Sequence, residues 1–212
     1  ITDTGLKRIA NLTQLSSLNL HFNKNITDKG VQIILEIFPN LKSLDLSYTK
    51  ISTEGLKTKL EEWQKITSLN LNHCQNITNT SLEHIQNLTH LTSLNLTWCM
   101  LITNAGLATL AESCPHLTSL NLSWCLSITD ESIQNILENF PNLRTLDLSD
   151  TKITPELLKT LKQKLPFIHL VESSGINLMN YTVEFWSNTG GMFYGLAKLS
   201  AFLQASRLTP PA

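Results

Sequence analysis

The chain repeats itself, and the length of the repeat decides most of what it can fold into. Six segments fall into one register: LSSLNL from Leu15, LKSLDL from Leu41, ITSLNL from Ile66, LTSLNL from Leu91, LTSLNL from Leu117 and LRTLDL from Leu143. Their final leucines (Leu20, Leu46, Leu71, Leu96, Leu122 and Leu148) follow one another at intervals of 26, 25, 25, 26 and 26 residues. Self-similarity at this period specifies a solenoid, in which each unit buries its apolar side against its neighbours rather than in one shared core. The 212 residues therefore set a number of coils and need not divide into conventional globular domains.

Each unit reads as a short strand, a turn, and a helix that returns to the next strand. Small or polar residues stand between the strand leucines, from Ser17 and Asn19 to Thr145 and Asp147. A period of two then sends leucine inward and the polar set to solvent. Thr27, Ser52, Thr78, Thr103, Thr129 and Thr154 each follow a turn isoleucine and predict hydroxyl caps on the helix amides. The acidic residues behind them (Asp28, Glu54, Asp130, Glu131 and Glu156) complement the helix dipole, and Pro155 suits a first helical position. Apolar residues recur at three and four, as in Val31, Ile34, Leu35 and Phe38, or Ile133, Ile136, Leu137 and Phe140. Those stripes are expected to face the strands. The turns after Thr49 and Thr151 are one residue shorter than those after Asn23, Cys74, Cys99 and Cys125, a change the sheet is expected to absorb without a break.

Ile1–Leu6 (ITDTGL) matches Ile26–Val31 (ITDKGV), so the chain is expected to begin inside a truncated repeat. At the other end Leu165, Ile168 and Leu170 give one more L-x-x-I-x-L, with Ser173 and Ile176 in the following turn. Repeats are thus expected over residues 1–176, with a C-terminal cap and terminal helix over 177–212. There Leu178, Phe185, Trp186 and Phe193 would cover the exposed face of the last coil. A second docking element is the alternative reading of that segment.

Units such as SCPHLTSLNLSWCLSITDESI, from Ser113 to Ile133, resemble the cysteine-containing class of leucine-rich repeats, and the resemblance runs from Ile1 to about Ile176. It implies an α/β leucine-rich repeat solenoid, a horseshoe with a parallel sheet on its concave face and helices on its convex face. It also implies two settings for such a module. One is the substrate-recruiting arm of an F-box-type cullin ubiquitin ligase; the other is an effector of an intracellular bacterium acting on a host protein. A composition rich in Asn, Thr, Ile and Lys with only 8 glycines accords with an AT-rich genome and so with the second setting.

Two columns carry the functional signals. Phe22, Tyr48, His73, Trp98 and Trp124 each stand two residues past the second core leucine, and Asp150 takes that place in the next unit. At about 5 Å per strand the five would line roughly 20 Å of the concave rim. Large, stiff rings in such a row suit a partner-binding surface; local packing against the turn is the alternative. The second column is Asp45, Asn70, Asn95, Asn121 and Asp147, preceded by Asn19 and flanked by His21, Ser47, Asn72, Thr97, Ser123 and Ser149. These groups could read hydrogen bonds on a partner, or bond to one another along the sheet.

The remaining signals mainly exclude. Net charge is −1, from 16 basic and 17 acidic residues with no basic run, which argues against nucleic acid or an anionic membrane as partner. No apolar run approaches the roughly 20 residues of a membrane helix, and no leader-like segment precedes the first repeat. Cys74, Cys99 and Cys125 share the position of Asn23, Thr49 and Thr151 and are expected to turn inward against backbone, with Cys114 packed inside. Sulfurs spread along a column do not converge on a metal. The sequons at Asn95 and Asn121 fall inside strands, where a glycan would block the sheet, so a cytoplasmic location is expected, the host cytosol for an effector. No nucleophile elbow, phosphate-cradling glycine loop or H-E-x-x-H occurs, and His84, His90, His116 and His169 are scattered over helix ends and connections. The expected function is a non-enzymatic protein–protein interaction module, monomeric, with a protein partner and no cofactor or metal. The alternative is a structural scaffold that self-associates through its C-terminal segment.

Overall fold

The structure, a computed structural model, describes residues 1–57, 63, 65–85, 88–164 and 169–171. The expected cap over 177–212 and the turn residues Ser173 and Ile176 lie outside these described residues.

Seven three-residue strands form one parallel sheet in chain order: β1 (Ser17–Asn19), β2 (Ser43–Asp45), β3 (Ser68–Asn70), β4 (Ser93–Asn95), β5 (Ser119–Asn121), β6 (Thr145–Asp147) and β7 (His169–Val171). The register is the one the leucines announce, with Ser17 opposite Ser43, then Ser68, Ser93, Ser119 and Thr145. Equal steps of 25 or 26 residues bring the same motif position back to the same ladder position each time, so the sheet runs unbroken through both turn lengths. The last strand departs from expectation. Leu170 pairs with Leu146, not with Leu148, and His169 begins β7 instead of lying in a connection. Strand pairing fixes this register, and a degenerate L-x-x-I-x-L next to Pro166 was too loose to specify it.

Between the strands run α1 (Asp3–Leu6), α2 (Asp28–Ile37), α3 (Thr53–Leu56), α4 (Asn79–Ile85), α5 (Asn104–Ser113), α6 (Asp130–Asn139) and α7 (Pro155–Lys164). Pro155 opens α7, where its missing N–H is no loss. Three sets of side chains fill the space between helices and sheet: the strand leucines Leu44, Leu69, Leu94, Leu120 and Leu146, the second leucines from Leu20 to Leu148, and the turn isoleucines from Ile26 to Ile153, all buried. The stripes Val31, Ile34, Leu35 and Phe38, and Ile133, Ile136 and Phe140, close the core from the helix side. Each such burial contributes about 1.5–3 kcal/mol, and the total accumulates coil by coil.

The helix starts depart from the simple capping picture. Thr2, Ser52 and Thr154 do accept amides of their own helices, from Gly5, Glu54 and Leu157. Thr27, Thr103 and Thr129 make no such bond. Their hydroxyls are turned sideways to the preceding coil, where a carboxylate or carboxamide holds them by two bonds. Asp3 accepts from the Thr27 amide (3.0 Å) and hydroxyl (2.6 Å), and Asp28 takes the Ser52 amide and hydroxyl at 2.7 Å each. Asp130 takes the Thr154 amide and hydroxyl in the same way. Asn79 and Asn104 do the same work with one bond reversed: the side-chain oxygen accepts the Thr103 or Thr129 amide, and the side-chain NH2 donates to the threonine hydroxyl. Asn carries no charge, so what this position supplies is a two-point hydrogen-bond staple between coils, beyond any dipole term.

In three coils the staple occupies the space of a Cβ, whereas Asn104 is matched by Ser132 and Asp130 by Leu157. A Cβ on Gly30, Gly55 or Gly106 would overlap the side-chain oxygen of Asp3, Asp28 or Asn79 respectively. Where the staple residue is the shorter Thr53, the glycine is replaced by Ser81, whose hydroxyl lies 2.6 Å from Thr53 Oγ1 and accepts the Thr78 amide. Asn79→Ala is expected to lower stability by about 1–3 kcal/mol through loss of two bonds at a part-buried amide. Gly106→Ala should destabilise the unaltered protein and cost clearly less in the Asn79→Ala background, where its helix propensity is set only against a 3.1 Å approach to Leu82 Cδ1. A urea-unfolding double-mutant cycle measures this, and additive costs would refute the staple.

Candidate functional site

The aromatic column sits where the chain leaves the sheet. In each coil the second core leucine starts a four-residue turn closed by an amide bond back to it: Asn23 to Leu20, Thr49 to Leu46, Cys74 to Leu71, Cys99 to Leu96, Cys125 to Leu122 and Thr151 to Leu148. The aromatic is the third residue of that turn, and its backbone is left-handed. The φ values are 63° at Phe22, 57° at Tyr48, 57° at His73, 61° at Trp98, 63° at Trp124 and 56° at Asp150. Turns that demand positive φ at this place normally use Gly or Asn, and a bulky residue there is an outlier, costing about 1–2 kcal/mol each.

Three sets of bonds hold that backbone. Besides the turn bond, each aromatic amide donates to the next coil: Phe22 to Ser47 O, Tyr48 to Asn72 O, His73 to Thr97 O, Trp98 to Ser123 O and Trp124 to Ser149 O, at 2.8–3.0 Å. The third set comes from the polar column. Asn19, Asp45, Asn70, Asn95, Asn121 and Asp147 each turn a side-chain oxygen to accept the amide two residues ahead, on His21, Ser47, Asn72, Thr97, Ser123 and Ser149. Several of them also pair laterally. Asn70 donates to Asp45 at 3.1 Å and Asn121 to Asp147 at 2.8 Å, while Thr97 donates to Asn121 at 2.7 Å. The bonding along the sheet that the sequence allows for this column is present.

The rings form a continuous stack. Centroid distances are 4.8 Å for Phe22–Tyr48, 4.4 Å for Tyr48–His73, 5.6 Å for His73–Trp98 and 4.5 Å for Trp98–Trp124, with interplanar angles of 22°, 9°, 31° and 11°. Phe22 is 53% exposed, while the four that follow are half-buried by one another, so Trp98 and Trp124 are less exposed than their places in the sequence suggest. Lys24 Nζ lies 5.4 Å from the Phe22 ring centre. Ring faces are thus used up inside the stack, and the surface offered outward is a ridge of ring edges. His21, which meets Tyr48 edge-on at 5.3 Å and pairs with Ser47 at 2.7 Å, flanks the ridge at its first coil.

The thiols lie directly beneath the ridge. Cys74, Cys99 and Cys125 are buried, and each donates to the carbonyl of the preceding coil's second leucine: Leu46, Leu71 and Leu96, at 3.2–3.3 Å. Thr49 and Thr151 reach their own coil's carbonyls instead, on Leu46 and Leu148. Burial pushes the Cys74 and Cys125 thiols up to about 12 and Cys114 to about 11, and raises Cys99 well above its usual range. These are protonated hydrogen-bond donors, unsuited to nucleophilic work. Among the described residues, no three His, Cys, Asp or Glu side chains converge as metal ligands.

An in-register parallel sheet backed by helices, with one turn residue per coil raised into a ridge, defines an α/β solenoid. The Leucine Rich repeat family model matches residues 11–34, 39–58, 64–85, 87–111, 113–137 and 141–161, and the chain belongs to that family of protein-interaction modules. Similar solved structures include internalin C2 of Listeria monocytogenes (20% identity, TM-score 0.45, covering 82% of this chain and 84% of that one). A chain of the yeast Rad7 and Elc1 complex matches at 18% identity and TM-score 0.36, over 76% of this chain and 64% of that one. Leiomodin-1 actin-binding site 2 matches at 14% identity and TM-score 0.46, over 77% and 94%. These likenesses concern the fold alone. No curated protein matches the sequence.

His73 gives the ridge a pH signature. Burial between its neighbours lowers its pKa below the usual 6.5, and the charge of Lys24 adds to the effect against a backbone bond that opposes it. The folded state therefore favours the neutral ring, while the unfolded chain takes up a proton near pH 6.5. This contribution is fully present above pH 6.5 and is lost as pH falls from there through the lower folded value. Stability measured by urea unfolding should decline as pH falls below about 6.5, and His73→Phe should flatten that part of the profile. An unchanged slope in the variant would contradict the assignment.

Proposed function

We propose that the ridge Phe22–Tyr48–His73–Trp98–Trp124 is the docking surface of a non-enzymatic protein-binding module. The observation that carries this reading is the left-handed backbone. Five consecutive coils keep a bulky ring where Gly or Asn would relax the turn, and strain of this kind concentrates at functional sites. Trp and Tyr are also the residues that dominate interface energetics. The partner is a protein whose apolar groups pack along the ring edges, strongest at the Trp98–Trp124 pair. Asp45, Asn70, Asn95, Asn121 and Asp147 support the reading as positioning groups that fix the turns, and the outer edges of their side chains border the docked surface.

The setting we propose is a reducing cytosol, with the chain acting as a monomer. Three protonated thiols bonded to backbone in adjacent coils support it. The cysteine-containing repeat pattern supports a substrate-recruiting arm of an F-box-type ubiquitin ligase or a bacterial effector acting on a host protein.

Glycine makes the cleanest probe. Trp98→Gly with Trp124→Gly removes a stacked pair worth about 0.5–1.5 kcal/mol beyond area burial together with the partial burial of both rings, and relieves left-handed strain of about 1–2 kcal/mol at each position. The double variant should therefore melt near the parent, whereas alanine would keep the strain and lose the stack. Affinity for a partner isolated on the parent protein should fall by about 30-fold or more, the scale of a hot-spot loss. Unchanged affinity would overturn the reading. A concentration-dependent dimer in light scattering that persists in the double variant would favour the self-associating scaffold instead.

A further inference from the structure

The opposite edge of the same sheet face carries a second site of different chemistry. The residues just before the strands make two columns: Gln14, Asn40, Lys65, His90, His116 and Asn142, and beside them Ser16, Lys42, Thr67, Thr92, Thr118 and Arg144. Neither column holds a carboxylate in any coil, although the chain has 17 acidic residues. No basic run exists in the linear sequence; the coil period gathers these groups into a row.

Over the fourth to sixth coils the row hollows into a groove of about 480 Å³ lined by His90, Thr92, His116, Thr118, Asn142 and Arg144. Several lining groups are already fixed. Thr92 and Thr118 donate their hydroxyls down the ladder, to Thr67 O and Thr92 O at 3.0 Å each. Asn142 donates to Pro115 O at 3.0 Å, and one Arg144 nitrogen to Leu143 O at 3.2 Å. Two exposed imidazoles from adjacent coils, roughly 5 Å apart in strand spacing, and an exposed guanidinium then face the groove. A guanidinium retains further N–H donors in fork geometry, and a neutral imidazole retains one. Such a set matches a planar or tetrahedral oxyanion.

We propose that this groove binds an oxyanion, the phosphoryl or carboxylate group of an acidic protein segment, with Arg144 as the charged anchor and His90 and His116 as flanking donors. The site itself stands on the groove alone; only the source of the anion rests on the reading that a protein docks on this face. Together the two edges describe a partner with an apolar strip at the aromatic ridge and an acidic or phosphorylated segment across the sheet from it.

The test is an NMR titration of the His90 and His116 ring signals with inorganic phosphate, against chloride at equal ionic strength and constant pH. Saturable shifts with phosphate and none with chloride are expected. Arg144→Gln should weaken binding by about tenfold or more, the scale of a lost charge-assisted bond; His90→Gln, read on the His116 ring, and His116→Gln, read on the His90 ring, should each weaken it independently. A phosphoserine peptide and a glutamate peptide, each compared with a serine peptide, then identify the source by which one shifts the same signals. Shifts that fail to saturate, match chloride, or survive Arg144→Gln overturn the proposal. Absent phosphate binding alongside ridge-dependent partner binding would sink this site alone; saturable phosphate binding without ridge-dependent docking would sink only the docking ridge.

Discussion

Parallel pairing in one register is the constraint from which everything else in this protein follows. A three-residue strand is too short to stand alone, so each gains stability only by repeating its neighbour's hydrogen-bond pattern one coil further on. That demand fixes the coil at 25 or 26 residues and turns every motif position into a column. Leucine columns make the core. An Asp or Asn column behind the helix caps staples one coil to the next, a thiol or hydroxyl column closes the turns, and an aromatic column tops them.

The two edges of the sheet use this constraint differently. At the trailing rim the chain is held left-handed at a cost that a single turn bond of about 1 kcal/mol would barely offset. The amide bond to the next coil, the side-chain bond from the Asn or Asp two residues before the turn's second residue, and the ring stack together over-determine the conformation. Rigidity is thereby built into the free protein, which for the docking proposed above lowers the ordering cost. At the leading edge the strands are preceded by His, Thr and Arg, in two columns with no carboxylate. One edge therefore offers apolar ring edges and the other offers hydrogen-bond donors and positive charge.

Much of this was written in the sequence and some of it was not. The strand register, the buried column of Cys74, Cys99 and Cys125, and the helix starts are visible because they recur at fixed residue types. The left-handed turns were hidden because Phe, Tyr, His and Trp are poor predictors of positive φ. The one hint is Asp150, a residue type enriched in that region, standing at the same position with φ 56°. Asp28 and Asp130 stand in the first helical turn as the dipole reading expects, but the staple they also make was hidden; the uncharged Asn79 and Asn104 in that column, with Gly106 opposite Asn79, are the signal for a two-point bond. The β7 register escaped because Leu165, Ile168 and Leu170 fit the repeat in a frame two residues away from the one the strand adopts, in which Leu170 takes the place of Leu146. The row of His90, His116 and Arg144 was invisible to any search for contiguous charge, since only coil stacking assembles it.

The most direct measurement is amide hydrogen exchange at Tyr48, His73, Trp98 and Trp124 in the free protein. If the ridge is held by bonds to the next coil, these four amides exchange as slowly as the strand amides of Leu44, Leu69, Leu94 and Leu120. Exchange at the rate of an exposed, unbonded turn would show that the aromatic rim is not a preformed surface.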